Sequence, residues 1–168
     1  IAYAAKYDVL IVAAAGNNGE NNDFVKNYPN DQDGIGEEVS DNFISVGAST
    51  SDYSSDLIAG FSNYGKSSVD VFAPGTRIYS SYPNNKYEFA QGTSMAAPLV
   101  SGIAALLFSQ YPKLSASEVK KIIMVSGLPI KKEVALEDGT ISLMNNLCKS
   151  GRLVNAYNAL IMASKLSK

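Results

Sequence analysis

Ser94 stands within Gly92-Thr93-Ser94-Met95-Ala96-Ala97-Pro98, immediately ahead of an apolar run from Leu99 to Phe108. A hydroxyl at the mouth of a helix lies where free amides and the positive dipole end favour developing negative charge, a setting that suits a nucleophilic serine. Serine is also an ordinary helix cap, and Thr93 shares that ability, so the local pattern leaves cap and nucleophile both open. A serine hydroxyl is a weak nucleophile until a base removes its proton, usually an imidazole oriented by a carboxylate. The 168 residues contain no histidine, so this chain cannot assemble that base by itself.

The elements that must hold Ser94 follow from the pattern around it. Gly92 lets the backbone bend or approach another segment closely. Pro98 is tolerable only near a helix start; with Ser94 as cap it removes just the first i to i−4 bond. Beyond it, apolar and small residues occupy nearly every position, which predicts a helix buried all round. At roughly a dozen residues it is too short to cross a membrane. Ile78 to Tyr82 and Tyr87 to Ala90 flank Pro83-Asn84-Asn85-Lys86 and predict a hairpin that delivers the chain to Gly92.

Upstream, Ile1 to Lys6 reads as the last turns of a helix, and Val9 to Ala15 as a buried parallel strand, together half of a βαβ unit. Gly16-Asn17-Asn18-Gly19 ends that strand, taken alone an Asn-Gly-type turn, and Glu20 to Asp41 reads as a long polar loop. Asn42 to Ala48 and Val69 to Phe72 are the next strands, with Leu57 to Phe61 a possible short edge segment between them. Downstream, Ser115 and Glu118 form a capping box for a helix whose apolar face is Val119, Ile122 and Ile123, with Lys120 and Lys121 turned away. Pro129 to Ser150 shows no pattern and reads as an exposed connection, after which Asn155 caps a final helix.

The heptapeptide Gly92 to Pro98 resembles the nucleophile motif of the subtilisin-like serine proteases, a highly specific signature. Ala14-Ala15-Gly16-Asn17 resembles the oxyanion block of the same family, Phe72-Ala73-Pro74-Gly75 its strand end before the hairpin, and Tyr28-Pro29 a wall of its specificity pocket. The resemblance covers nearly the whole chain. It implies an α/β fold: the C-terminal part of a parallel-sheet, three-layer domain in which a β-hairpin leads to a buried nucleophile helix. It implies Ser94 as nucleophile, the Asn17 amide and the Ser94 backbone N–H as oxyanion donors, and Ala14, Ala15 and Gly16 as substrate-binding residues. Leu99 stands where the family most often has a histidine that packs within the helix, and Asn30 to Val39 looks inserted and acidic.

Family order runs Asp, His, Ser. Residues 1–168 are therefore expected to be the C-terminal half of a peptidase domain, its Asp and His lying upstream, and inactive alone. A sheet edge and part of the helix would then be left for the N-terminal half, or another copy of the chain, to cover. The implied activity is peptide-bond hydrolysis on peptide or protein substrates, outside the cell. A non-catalytic scaffold and an esterase are the competing readings.

Composition agrees with a single domain and core: 46% hydrophobic, 18% charged, net charge −2. That balance carries no basic footprint for nucleic acid, and no membrane span is expected. Cys148, the one cysteine, reads as a buried apolar side chain. No cofactor is implied. Asp31, Asp33, Glu37 and Glu38 offer oxygen ligands for calcium, but without defined spacing they read as a solvated loop.

Overall fold

In the computed structural model, which describes residues 1–33 and 37–166, a five-stranded sheet forms the centre. From edge to edge it runs β1 (Ile11–Ala14), β2 (Phe43–Ser49), β3 (Val71–Pro74), β9 (Arg152–Leu153) and β6 (Leu128–Pro129), numbered in chain order. The first four are mutually parallel and β6 is antiparallel to β9. Strand β2 is buried throughout, as a parallel strand covered on both faces must be. Strand β1 is half-buried, and among the described residues it pairs only with β2. A short helix α1 (Ala2–Ala5) precedes it.

Helix α2 (Thr93–Gln110) lies across β1, β2 and β3, with α3 (Ala116–Ser126) and α4 (Ala156–Leu166) packed beside it. Ile44, Val46, Val71, Val100, Leu107 and Ile123 belong to the core on this face. Strand alternation sends Phe72 to the opposite face, into a second cluster with Val69, Val134, Met144, Leu147 and Cys148. There the covering layer is a 3-10 turn at Ser55–Leu57, the hairpin β7 (Glu133–Ala135) and β8 (Ile141–Leu143), and a second 3-10 turn at Met144–Asn146. Pro129 to Ser150 is thus not an exposed connection. Its strands of two or three residues are too short to show a period, yet they bury Ile130, Val134, Met144, Leu147 and Cys148.

Helix α2 is 18 residues long, not a dozen: it starts at Thr93 with Gly92 as its cap, takes in the whole turn around Ser94 and Pro98, and runs on to Gln110. Its buried positions, among them Ala96, Val100, Ile103 and Leu107, recur at three- and four-residue spacing. The other face is open: Leu99 and Leu106 are 40% and 47% exposed, so the helix is buried on one side and not all round. With a mean hydropathy of 1.3 it has the length and composition to span a membrane. Its packing on three strands and two helices accounts for the apolar residues of one face only. The hairpin ahead of it is β4 (Ile78–Tyr82) and β5 (Lys86–Ala90), turning through Asn84 and Asn85 in the left-handed region that asparagine tolerates.

Two further expectations fail together. Lys120 does not turn away from the core; it is 6% exposed and faces Glu38 at 3.3 Å, Asp70 at 3.6 Å and Asp31 at 3.9 Å. Lys149 joins the cluster through Asp70 at 3.7 Å and through Glu38. The acidic stretch is therefore pinned onto α3 at Asp31 and Glu38 instead of being solvated; residues 34–36 of it lie outside those described. A buried ammonium is held there only because carboxylates surround it.

Burial raises the pKa of Asp31 and Asp70, whereas Glu38, which burial also pushes up, is held low by Lys149 and Lys120. On the acid side these effects oppose each other. Burial would lower Lys149, but Asp70 and Glu38 outweigh it and raise the ammonium above 10.5. A lysine raised in the fold contributes stability that is complete below its unfolded pKa and is lost as pH climbs through the folded one. Lys149→Gln is expected to shrink the fall in Tm measured from below to above pH 10.5. Cys148 and Tyr64, also raised by burial, titrate in both proteins, so the difference isolates Lys149. Lys120→Met leaves the carboxylates without their central cation and is expected to cost about 3–5 kcal/mol by denaturant unfolding.

Candidate active site

The carboxyl end of β1 and the first turn of α2 meet. Asn17, just beyond β1, places its side-chain Oδ1 against Thr93, accepting the backbone N–H at 2.9 Å and the hydroxyl at 2.9 Å. The Thr93 hydroxyl in turn accepts the Gly16 N–H at 3.2 Å. Thr93 itself is fully buried while Asn17 is exposed, so the three bonds are partly shielded from water. The helix start is thus capped not by its own Thr93 or Ser94 but by a side chain 76 residues earlier. Local sequence carries no sign of such a cap, because the acceptor comes from tertiary contact.

This bonding fixes the orientation of the Asn17 amide. With Oδ1 committed to Thr93, Nδ2 is the end left facing outward. It lies beside Gly92, where an added Cβ would sit 3.5 Å from it. Gly92 itself has φ 143°, a conformation that excludes other residues, and its N–H donates to Gly75 O at 2.8 Å. That bond ties the end of the hairpin to the Phe72-Ala73-Pro74-Gly75 corner.

Ser94 is the second residue of α2 and is exposed. The N–H groups of Met95 and Ala96 reach Gly92 O at 3.0 and 3.4 Å, while the Ser94 N–H has no acceptor among the described residues. Pro98 lacks the N–H that would bond the Ser94 carbonyl. The helix mouth therefore presents a hydroxyl, a free backbone N–H and an outward side-chain amide together. Leu99 follows on the exposed face of α2 and not in its packed interior.

Ala14 and Ala15 line a small cleft with Asn27 and Pro29, so the Tyr28-Pro29 segment does lie against the end of β1. The Ala15 carbonyl accepts from Asn22 Nδ2 at 2.8 Å and Asn27 Nδ2 at 2.6 Å. Neither asparagine stands out in the sequence, for each sits singly in a polar loop. Of the four acidic residues considered for calcium, Asp31 and Glu38 face lysines, and Asp33 accepts the Glu37 N–H at 3.0 Å. Two ammonium groups stand among these carboxylates and do not suit a bound cation there, and among the described residues no three acidic, histidine or cysteine side chains are placed to hold a metal ion.

Thr93→Val keeps the side-chain shape but removes one hydroxyl that both accepts and donates. It is expected to destabilise the fold by about 1–3 kcal/mol, read from denaturant unfolding, because the part-buried Gly16 N–H loses its acceptor and Asn17 Oδ1 loses a donor.

A model of the Subtilase family matches residues 1–148. Subtilisin DY of Bacillus licheniformis is 43% identical over 120 residues, covering 71% of this chain and 39% of that protein. A thermophilic serine proteinase of Bacillus sp. (strain AK1) is 38% identical over 159 residues, 94% of this chain and 32% of the relative. Among solved structures, a lanthipeptide protease superposes with a TM-score of 0.71 at 27% identity over 95% of this chain and 52% of its own. The chain thus spans about half, or less, of the proteins it matches. With the family model matched over most of its length, this chain belongs to the subtilase family.

Proposed function

We propose that this chain carries the nucleophile and oxyanion half of a serine endopeptidase. In this reading Ser94 Oγ attacks the carbonyl carbon of a peptide bond. Its proton passes to an imidazole supplied from outside these residues, and from there to the departing amine. Water then hydrolyses the resulting ester and regenerates the hydroxyl. The Asn17 Nδ2 and the Ser94 backbone N–H stabilise the oxyanion, and Ala14, Ala15 and Gly16 wall the pocket for the side chain before the cleaved bond.

The observation that carries this reading is the Asn17–Thr93 pairing beside an exposed Ser94. It leaves an uncharged donor held in place before charge develops, which is what effective oxyanion stabilisation requires. The aspartate and histidine of the triad, and the cover for the open face of α2 and the free edge of β1, come in this proposal from an N-terminal half of the same domain. The chain alone is inactive. Secretion or attachment to the cell surface is proposed from the relatives, one of which is named a cell wall-associated protease of Bacillus subtilis.

A fluorophosphonate probe tests the proposal, applied in parallel to the intact gene product and to residues 1–168 alone. Labelling at Ser94 is expected in the first and not in the second, and Ser94→Ala abolishes it. Asn17→Ala is expected to slow labelling by about 100- to 1,000-fold, by analogy with the loss in turnover when the oxyanion asparagine of subtilisin is removed. An intact product that fails to label, or a chain that labels equally well alone, overturns the reading.

A further inference from the structure

We infer that Asn63 is the residue that positions the Asn17 amide, an inference that rests on the oxyanion reading above. Asn63 lies in the loop between the Ser55–Leu57 turn and β3 and is 2% exposed. Its backbone N–H donates to the Gly16 carbonyl at 2.9 Å. Its side-chain Oδ1 accepts the Asn18 N–H at 2.8 Å and the Glu20 N–H at 3.2 Å. One buried residue therefore holds the peptide groups on both sides of Asn17.

The clamp is itself held. Asn63 Nδ2 donates to Asn22 Oδ1 at 2.9 Å, and Asn22 Nδ2 donates to Ala15 O at 2.8 Å. Gly16 has φ 111°, and a Cβ there would fall 2.5 Å from Asn63 Nδ2, so the bracket closes only around a glycine. Asparagine fits this place because the site needs an acceptor toward Asn18 and a donor toward Asn22 on one neutral group. An aspartate would accept but not donate, and an apolar side chain would do neither.

The consequence is a division of labour. Thr93 fixes which end of the Asn17 amide faces outward, and Asn63 fixes where its backbone stands. An oxyanion donor is effective only if it is in place before charge develops, and a misplacement of about 1 Å costs on the order of 100-fold in rate. Asn63 acts through Asn17 and is a positioning residue.

The test is a double-mutant cycle in the intact gene product. A fluorophosphonate probe is titrated against wild type, Asn17→Ala, Asn63→Ala and the double variant, and the maximal labelling rate is separated from the half-saturating probe concentration. Asn63→Ala is expected to lower the maximal rate by about 10- to 100-fold. Half-saturation stays within about twofold, and hydrogen exchange quickens in the peptide containing Asn18. On the Asn17→Ala background the same change is expected to shift the maximal rate by less than about twofold, since the group it positions is gone.

An equal loss on both backgrounds overturns the inference, as does a loss confined to half-saturation. Where Asn63→Ala does not fold, Asn63→Leu, which fills the same space but accepts neither N–H, is run through the same cycle against the same criteria. The two readings fail separately. An unchanged rate in Asn17→Ala removes the oxyanion assignment, whereas a slowed Asn17→Ala rate with the full Asn63 loss added to it removes only the role of Asn63.

Discussion

One oxygen, Oδ1 of Asn17, accepts both polar hydrogens of Thr93, and the geometry of the site follows from that choice. A buried helix start must find acceptors for its first N–H groups, and one left without an acceptor costs about 1–3 kcal/mol. Meeting that need with an amide, rather than a carboxylate, has a second effect. The oxygen is consumed in capping, and the NH2 group is left pointing away from the helix. A structural requirement of α2 thereby sets the orientation of a hydrogen-bond donor beside Ser94. The Thr93 hydroxyl accepts from the Gly16 N–H while donating to Asn17 Oδ1, and bonds chained through one hydroxyl in this way strengthen one another by polarisation.

The sheet explains why two segments so distant in sequence can meet there. In an open parallel sheet the usual place for a site is outside the carboxyl ends of the strands. Asn17 leaves the end of β1, the Gly75 corner leaves the end of β3, and α2 crosses back over all three long strands from that same end. The hairpin between β3 and α2 returns the chain to its starting level, sealed by the Gly92 N–H on Gly75 O. Ser94 is brought to the strand ends by topology, and the local turn only aims it.

What the sequence made legible was whatever is encoded locally. The capping box at Ser115 and Glu118 and the hairpin ahead of α2 each lie within a few residues and appear where expected. What depends on remote partners did not. Lys120 looks outward on a helical wheel, because only Asp31, Glu38 and Asp70 in space turn its burial from a penalty into an anchor. Thr93 and Ser94 look like self-capping residues until Asn17 takes that task. Asn63 is one polar residue in a loop, and nothing near it in sequence announces the two peptide groups it holds.

The polar parts of the molecule fall into two kinds, and the distinction bears on how chemistry and stability respond to pH. The group around Ser94 is built from Gly16, Asn17, Thr93, Asn63 and Asn22, none of which titrates in the physiological range. The charged cluster of Lys120, Lys149, Asp31, Glu38 and Asp70 joins the acidic loop, β3 and α3, and is composed only of groups that titrate. Acid or alkali therefore acts on the anchorage of the loop and leaves the donors at the helix mouth chemically unchanged. Under the proposed mechanism, a pH profile for Ser94 reactivity measured where the fold is intact reports the base that is supplied from elsewhere. In that proposal the part of the site contained in this chain acts as a fixed electrostatic template, and the proton traffic belongs to its complement.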